Sequence, residues 1–255
     1  MSEESKVTFS LDQAIARITL NRPEKRNALD DEVVSGLRHA IDAAARDASV
    51  RVVLITGAGK DFCSGADLAA LQSISQASVM DSVANARNMA ECFVAMRRHP
   101  RPIIAAVRGR ALAGGCGLAT ACDIILAAQS AQFGYPEVNI GFIPAMVMAI
   151  LRRSVSEKAA FELITSGNLV SAMKAQELGL IHHVFPDERF DDEVEAYVAR
   201  LAAKPPSAVT LSKNLLYHMD ALTFEAALQA GVDANVIARM TEECKAGVAR
   251  FLKKS

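Results

Sequence analysis

The stretch that decides the fold reads IIAAVRGRALAGGCGLATACDIILAAQSAQFGYPEVNIGFIP, residues 103–144. Ile103–Val107 is apolar with β-branched ends, the pattern of a strand buried on both faces. Gly109 breaks it, and small residues run from Ala113-Gly114-Gly115 to Ala121. Small residues after a strand let backbone approach backbone, or a ligand approach backbone. Residues 116–122 have little β character and are expected to form a short, closely packed helix with its N-terminus at the glycines. Unpaired N–H groups at such an end carry partial positive charge and can hold a developing oxyanion. A tight strand-to-helix turn without a ligand has the same local pattern, so this stretch alone does not choose between them.

Outward from it, strand and helix alternate. Residues 6–11 and 14–20 read as two strands joined at Asp12-Gln13, with Ile18 and Leu20 alternating as on a half-buried strand. Asp30 or Asp31 can cap a helix to about Asp47, whose Val33, Val34, Leu37, Ala40, Ile41 and Ala44 keep helical spacing. Residues 52–55 form a strand that turns at residues 56–59. Residues 72–82 are expected to be a mobile loop entering a helix to Arg98, with Val83, Ala86, Ala90, Phe93 and Val94 on one face, stopped by Pro100 and Pro102. Residues 123–127 form a strand, Pro144 opens a helix, Ser171 caps another, and residues 181–185 are a short strand. From Asp187 the pattern is helical only, broken at Pro205-Pro206 and near Asp220 and Met240. The expectation is an α/β core over residues 1–186 and a C-terminal helical region over residues 187–255.

Composition narrows the function classes. The 255 residues are 51% apolar and 22% charged with a net charge of −1, enough for a sizeable core and without a basic block. Nucleic-acid binding needs clustered Lys and Arg and is not expected. The polar start MSEESKVTFS lacks the apolar segment of a signal peptide, and charged or polar residues interrupt each apolar run, so no membrane span is expected. The five cysteines are odd in number and scattered, which suits small core residues in a reducing, cytoplasmic compartment rather than a zinc site. No metal is expected: His182 and His183 have no second ligand set, and His99 reads as a helix-end residue. Gly57-Ala58-Gly59-Lys60 lacks P-loop spacing, and Phe62 stands where a nucleophile elbow would need glycine.

Two small-residue turns stand out together, residues 62–68 (FCSGADL) and 111–124 (ALAGGCGLATACDI). With Asn21-Arg22-Pro23, Asn27-Ala28-Leu29, residues 131–144, Ser171-Ala172 and Gly179-Leu180, they resemble the crotonase, or enoyl-CoA hydratase/isomerase, superfamily over nearly the whole chain. The resemblance implies an α/β fold made of a spiral of ββα units, with C-terminal helices packing on the core or on a neighbouring subunit of a homotrimer or of a hexamer made from two trimers. It implies an acyl-CoA thioester as substrate, coenzyme A being part of that substrate and no other cofactor being called for. Two backbone N–H groups, matching Ala66 and Gly114, would hold the thioester oxygen as it becomes an enolate, and fixed donors do this without reorganisation. Glu137 matches the second of two family glutamates. The first would lie at Gly117, where glycine removes a carboxylate and is expected to open volume. A single glutamate suits moving a proton between two carbons of the acyl chain, so double-bond isomerisation is favoured, hydration of a 2-enoyl-CoA is the alternative, and a non-catalytic acyl-CoA-binding or assembly subunit is a third reading. Ala145-Met146-Val147-Met148 replaces a Gly-rich stretch found in many hydratases, read first as packing. Lys25, Arg26, Ala28, Asp67 and Leu68 match the region that holds the nucleotide and pantetheine of CoA. Lys213 can reach a phosphate or lie on the surface, and the surface is the reading adopted.

Overall fold

The computed structural model describes residues 5–67, 72 and 77–253. The first hairpin, β1 (Val7–Asp12) and β2 (Ile15–Leu20), is antiparallel, with Val7 opposite Leu20. Strands β3 (Val52–Gly57), β4 (Ile103–Val107), β6 (Ile124–Ala128) and β9 (His183–Phe185) extend it in parallel, giving the order β1-β2-β3-β4-β6-β9. All five residues of β4 are buried, as expected for a strand covered on both faces.

A second sheet was not anticipated. After β4 the chain enters β5 (Arg110–Leu112), and after β6 it enters β7 (Gln132–Gly134); β7 pairs antiparallel with β8 (Leu169–Ser171). Each is only three residues long, too short to show a period. The repeated unit is thus a strand in the large sheet, a strand in the small sheet, then helical structure, the ββα spiral implied by the resemblance.

Helix α1 (Asp31–Arg46) starts where Asp30 accepts the Val33 N–H, and the six apolar residues at helical spacing are the six it buries. Ser78 caps α2 (Val79–Arg98) with Asp81 returning the bond, a reciprocal cap that explains its start. Of the expected stripe Phe93 is buried, together with Cys92 and Met96, whereas Ala86 and Val94 are exposed, because the helix packs into the core through the C-terminal face that carries Cys92, Phe93 and Met96. Of the expected loop, residues 73–76 lie outside the described residues, and residues 79–82 already belong to the helix, so the loop ends earlier than expected. Helices α3 (Gly114–Ala121), α4 (Ala145–Ser154), α5 (Glu157–Ser166) and α6 (Ala172–Glu177) cover one side of the large sheet. On the other side α7 (Phe190–Ala202) packs Phe190, Val194 and Val198 against Val52, Leu54, Ile104 and Leu126. The division at residue 187 therefore cuts through this second core. Helices α8 (Pro206–His218), α9 (Phe224–Met240) and α10 (Glu242–Leu252) follow.

The expectation for Lys213 is corrected. It is 8% exposed, and its ammonium bonds Asp123 Oδ2 at 2.7 Å and the carbonyls of Arg101 and Met96. Asp123 also takes the Tyr217 hydroxyl and the Ile103 N–H. A long apolar stem with a charge at its tip reads as a surface residue until a buried carboxylate meets it. Here α8 is pinned to the core by that meeting.

Candidate active site

The turn after β3 is stapled to the loop after β2. Asn27 is 1% exposed; its amide donates to the carbonyls of Ala58 and Asp61 and accepts the Arg22 N–H. Leu29 N–H donates to Gly65 C=O at 2.7 Å, and Asp67 N–H to Leu29 C=O at 3.0 Å. This is a parallel bridge between Leu29 and Ala66. In that pattern the residue flanked by the two bonds points its own N–H the other way, and no backbone acceptor takes the Ala66 N–H among the described residues.

The second turn meets the first. Cys63 bridges Ala111 in parallel, extending the small sheet. Gly65 has φ +93°, and a Cβ there would lie 2.8 Å from Ala113 Cβ and 3.5 Å from Gly114 N. Only glycine lets the Ala66 loop reach the first turn of α3. Gly115 is equally close, since its Cβ would lie 2.3 Å from the Cys63 carbonyl oxygen. Ala113, the N-cap of α3, sits at φ +49°, ψ −127°, a conformation that an alanine holds only under strain. Gly114 follows as the first helical residue, so its N–H belongs to those without an intrahelical acceptor.

Glu137 lies on a 3-10 turn, Pro136–Ile140, directly after β7. The turn is held to α3 by the Ala113 N–H donating to Gly134 C=O at 2.9 Å. Glu137 is half-buried; its Oε2 is buried without a partner among the described residues, and burial pushes its carboxyl above the ordinary glutamate range. A carboxyl so placed is easier to protonate and a stronger base when ionised, which is what acid–base work near neutrality needs.

Gly117 does not open volume. A Cβ on Gly117 would stand 2.3 Å from Val147 Cγ2, and Val147 is 4% exposed. Helix α4 has moved a branched side chain into the space beside α3. The reading of residues 145–148 as packing holds for Val147, while Met146 stays on the surface. Lys25 and Arg26 are exposed on the loop beside the Ala66 turn, where Arg26 C=O accepts the Ser64 N–H. Ala28 is buried beneath them, and the Asp67 carboxylate bonds Arg22 at 2.9 Å. Leu68 lies outside the described residues. Among the described residues no three His, Cys, Asp or Glu side chains converge as a metal site, and no helix is long and apolar enough to cross a membrane.

The enoyl-CoA hydratase/isomerase family pattern matches residues 10–255. The chain belongs to that family. A putative enoyl-CoA hydratase of Thermus thermophilus is 37% identical over 240 residues, 94% of this chain and 95% of the relative. The 2,3-dehydroadipyl-CoA hydratase of Escherichia coli is 32% identical, covering 98% of this chain and 96% of its own length. The crystal structure of an enoyl-CoA hydratase from Mycobacterium smegmatis superposes with a TM-score of 0.94 at 34% identity, over 98% of this chain and 97% of that one. The crotonase fold of this family is the spiral described above; the first turn meets the start of α3, and the Glu137 segment contacts α3 through Gly134 and Tyr135. What sequence reading missed is what surrounds them: the Asn27 staple, the Val147 wedge and the fully buried side chain of Tyr135. Tyr135 carried a signal only in its place beside Pro136-Glu137.

Proposed function

We propose that this enzyme processes acyl-CoA thioesters through an enolate, with the Ala66 and Gly114 N–H groups on the thioester oxygen and Glu137 as the single acid–base group. The observation that carries this reading is the Gly117–Val147 interlock beside a half-buried Glu137 with an unpartnered oxygen. It supports double-bond isomerisation of a 3-enoyl-CoA. Glu137 takes a proton from C2, the electron pair moves onto the thioester oxygen, and the same carboxyl returns the proton at C4 as the double bond shifts to C2–C3. No water is consumed, so no second carboxylate is needed to activate one. Losing one oxyanion donor would cost about 2.7–4 kcal/mol of barrier lowering.

Hydration of a 2-enoyl-CoA is the second reading, favoured by the hydratase names of the relatives. Lys25 and Arg26, exposed beside the Ala66 turn, suit the phosphates of CoA, with Ala28 and Asp67 along the same loops. CoA enters as part of the substrate, and the chemistry calls on no other cofactor. The test is turnover of paired 2-enoyl- and 3-enoyl-CoA thioesters by wild type and Glu137→Gln. The amide keeps the shape but cannot accept the proton, so turnover is lost while thioester binding is retained. Turnover of the variant within a few-fold of wild type would falsify the role of Glu137. Binding without turnover by the wild type would establish the acyl-CoA-binding subunit instead.

A further inference from the structure

Tyr135 is fully buried, and the chemistry above does not use its hydroxyl. The Thr120 hydroxyl donates to the Cys116 carbonyl at 2.8 Å and lies 2.8 Å from the Tyr135 hydroxyl. Threonine has one hydroxyl proton, and it is spent on the carbonyl. The Tyr135 O–H is therefore the donor and Thr120 Oγ1 the acceptor. Cys116 is itself fully buried. Thr120 and Cys116 both sit on α3, the helix whose first residue is Gly114.

The segment before Glu137 is thus fixed to α3 twice: by Ala113 N–H on Gly134 C=O, and by the phenol on Thr120. Beyond Glu137 the turn meets the end of α5, where Asn139 Nδ2 donates to the Gly167 carbonyl at 3.4 Å, but its outer side faces solvent. Ile140 and Phe142 are exposed, and a Cβ on Gly141 would meet nothing within 4 Å. Of the side-chain holds on this segment, the Tyr135 phenol is the fully buried one and the one that ties it to the helix starting at Gly114.

We propose that Tyr135, acting through Thr120, is a positioning residue that fixes the Glu137 carboxyl relative to the N–H groups at the start of α3. The inference rests on Glu137 being the proton carrier. Proton transfer is steep in geometry, and a displacement of about 1 Å costs on the order of 100-fold in rate. Tyr135→Phe keeps the ring and removes the donor; Thr120→Val keeps the shape and removes the acceptor.

The experiment measures kcat, KM and melting temperature on a short-chain 3-enoyl-CoA, or on the 2-enoyl-CoA if that is what the wild type turns over. Each variant is expected to lose roughly 10- to 100-fold in kcat with KM changed less than about two-fold, and the double variant to lose no more than the worse single, because both break one contact. A merely structural contact would lower the melting temperature and leave kcat per folded enzyme unchanged. Should Tyr135→Phe fail to fold, Thr120→Val carries the test. Either variant, folded and with kcat within about two-fold of wild type, overturns the proposal. Glu137→Gln in parallel separates the two failures: turnover surviving there removes the reading and the inference together, while turnover lost there but kept in Tyr135→Phe removes the inference alone.

Discussion

Restoring a carboxylate at position 117 is expected to fail alone and to succeed with a second change. In Gly117→Glu the new Cβ would stand 2.3 Å from Val147 Cγ2, more than an ångström inside ordinary carbon contact. Val147 cannot swing clear, because it is β-branched and 4% exposed. Overpacking of this kind costs about 1–3 kcal/mol, and a half-desolvated carboxylate adds to it. For a chain of this size about 1 kcal/mol is 2–4 °C, so a fall of roughly 5–10 °C in melting temperature is expected. Val147→Ala alone removes two methyl groups, about 1.6 kcal/mol of transfer energy, plus a cavity cost. Together the changes should compensate, leaving the double variant more stable than the sum of the singles by about 1–3 kcal/mol. The assays are thermal unfolding of the three variants and hydration of a 2-enoyl-CoA followed by loss of the conjugated thioester absorbance. The double variant should gain hydration relative to isomerisation. A Gly117→Glu protein with wild-type melting temperature would refute the steric argument. A folded, thioester-binding double variant with an unchanged product ratio would refute the link between the missing carboxylate and water.

Lys213→Met removes the cation from Asp123 and leaves it only the Tyr217 hydroxyl and the Ile103 N–H, and loss of one partner of a largely buried pair costs up to about 3–5 kcal/mol; a chemical-denaturation midpoint close to wild type would show that α8 docks without it. Burial raises the Glu137 pKa, so the folded state prefers its neutral form: the stability this confers is complete below the ordinary value of 4.5 and is lost as pH rises through the folded-state value. Glu137→Gln should therefore gain melting temperature over wild type only above that window, and a gain that persists at lower pH would contradict the assignment. The exposed Leu216, Phe224, Leu228, Val232 and Val236 on α8 and α9 form too much open apolar surface for a lone chain, and we expect a trimer or hexamer; light scattering that gives a monomer at micromolar concentration would count against it.

Much of this protein was legible in the sequence because the signals are local. Helix α1 needed only its period and Asp30, and the cap at Ser171 needed only its residue type. The buried strands β3 and β4 declared themselves as apolar runs between turn residues. The two small-residue turns and the Glu137 segment carried the family in their order and spacing, each loose alone. The three-residue strands of the small sheet were silent, because pairing across 20 or more residues, Arg110 with Gln132 for example, leaves no mark in either segment.

What tertiary structure alone decided are the contacts between distant side chains. Sequence shows a missing carboxylate at Gly117; only the packing of α4 on α3 shows that Val147 fills the place. Sequence shows a lysine on a C-terminal helix; only the fold brings Lys213 to Asp123 and converts a surface charge into a buried pin. Tyr135 reads as one more aromatic beside a proline until Thr120, 15 residues away, receives its proton. The physical reason is common to all three. Period, capping and turn chemistry are set by neighbours along the chain, whereas a steric fit or a buried hydrogen bond is set by whichever element the fold places opposite, and that partner is not written in the local sequence.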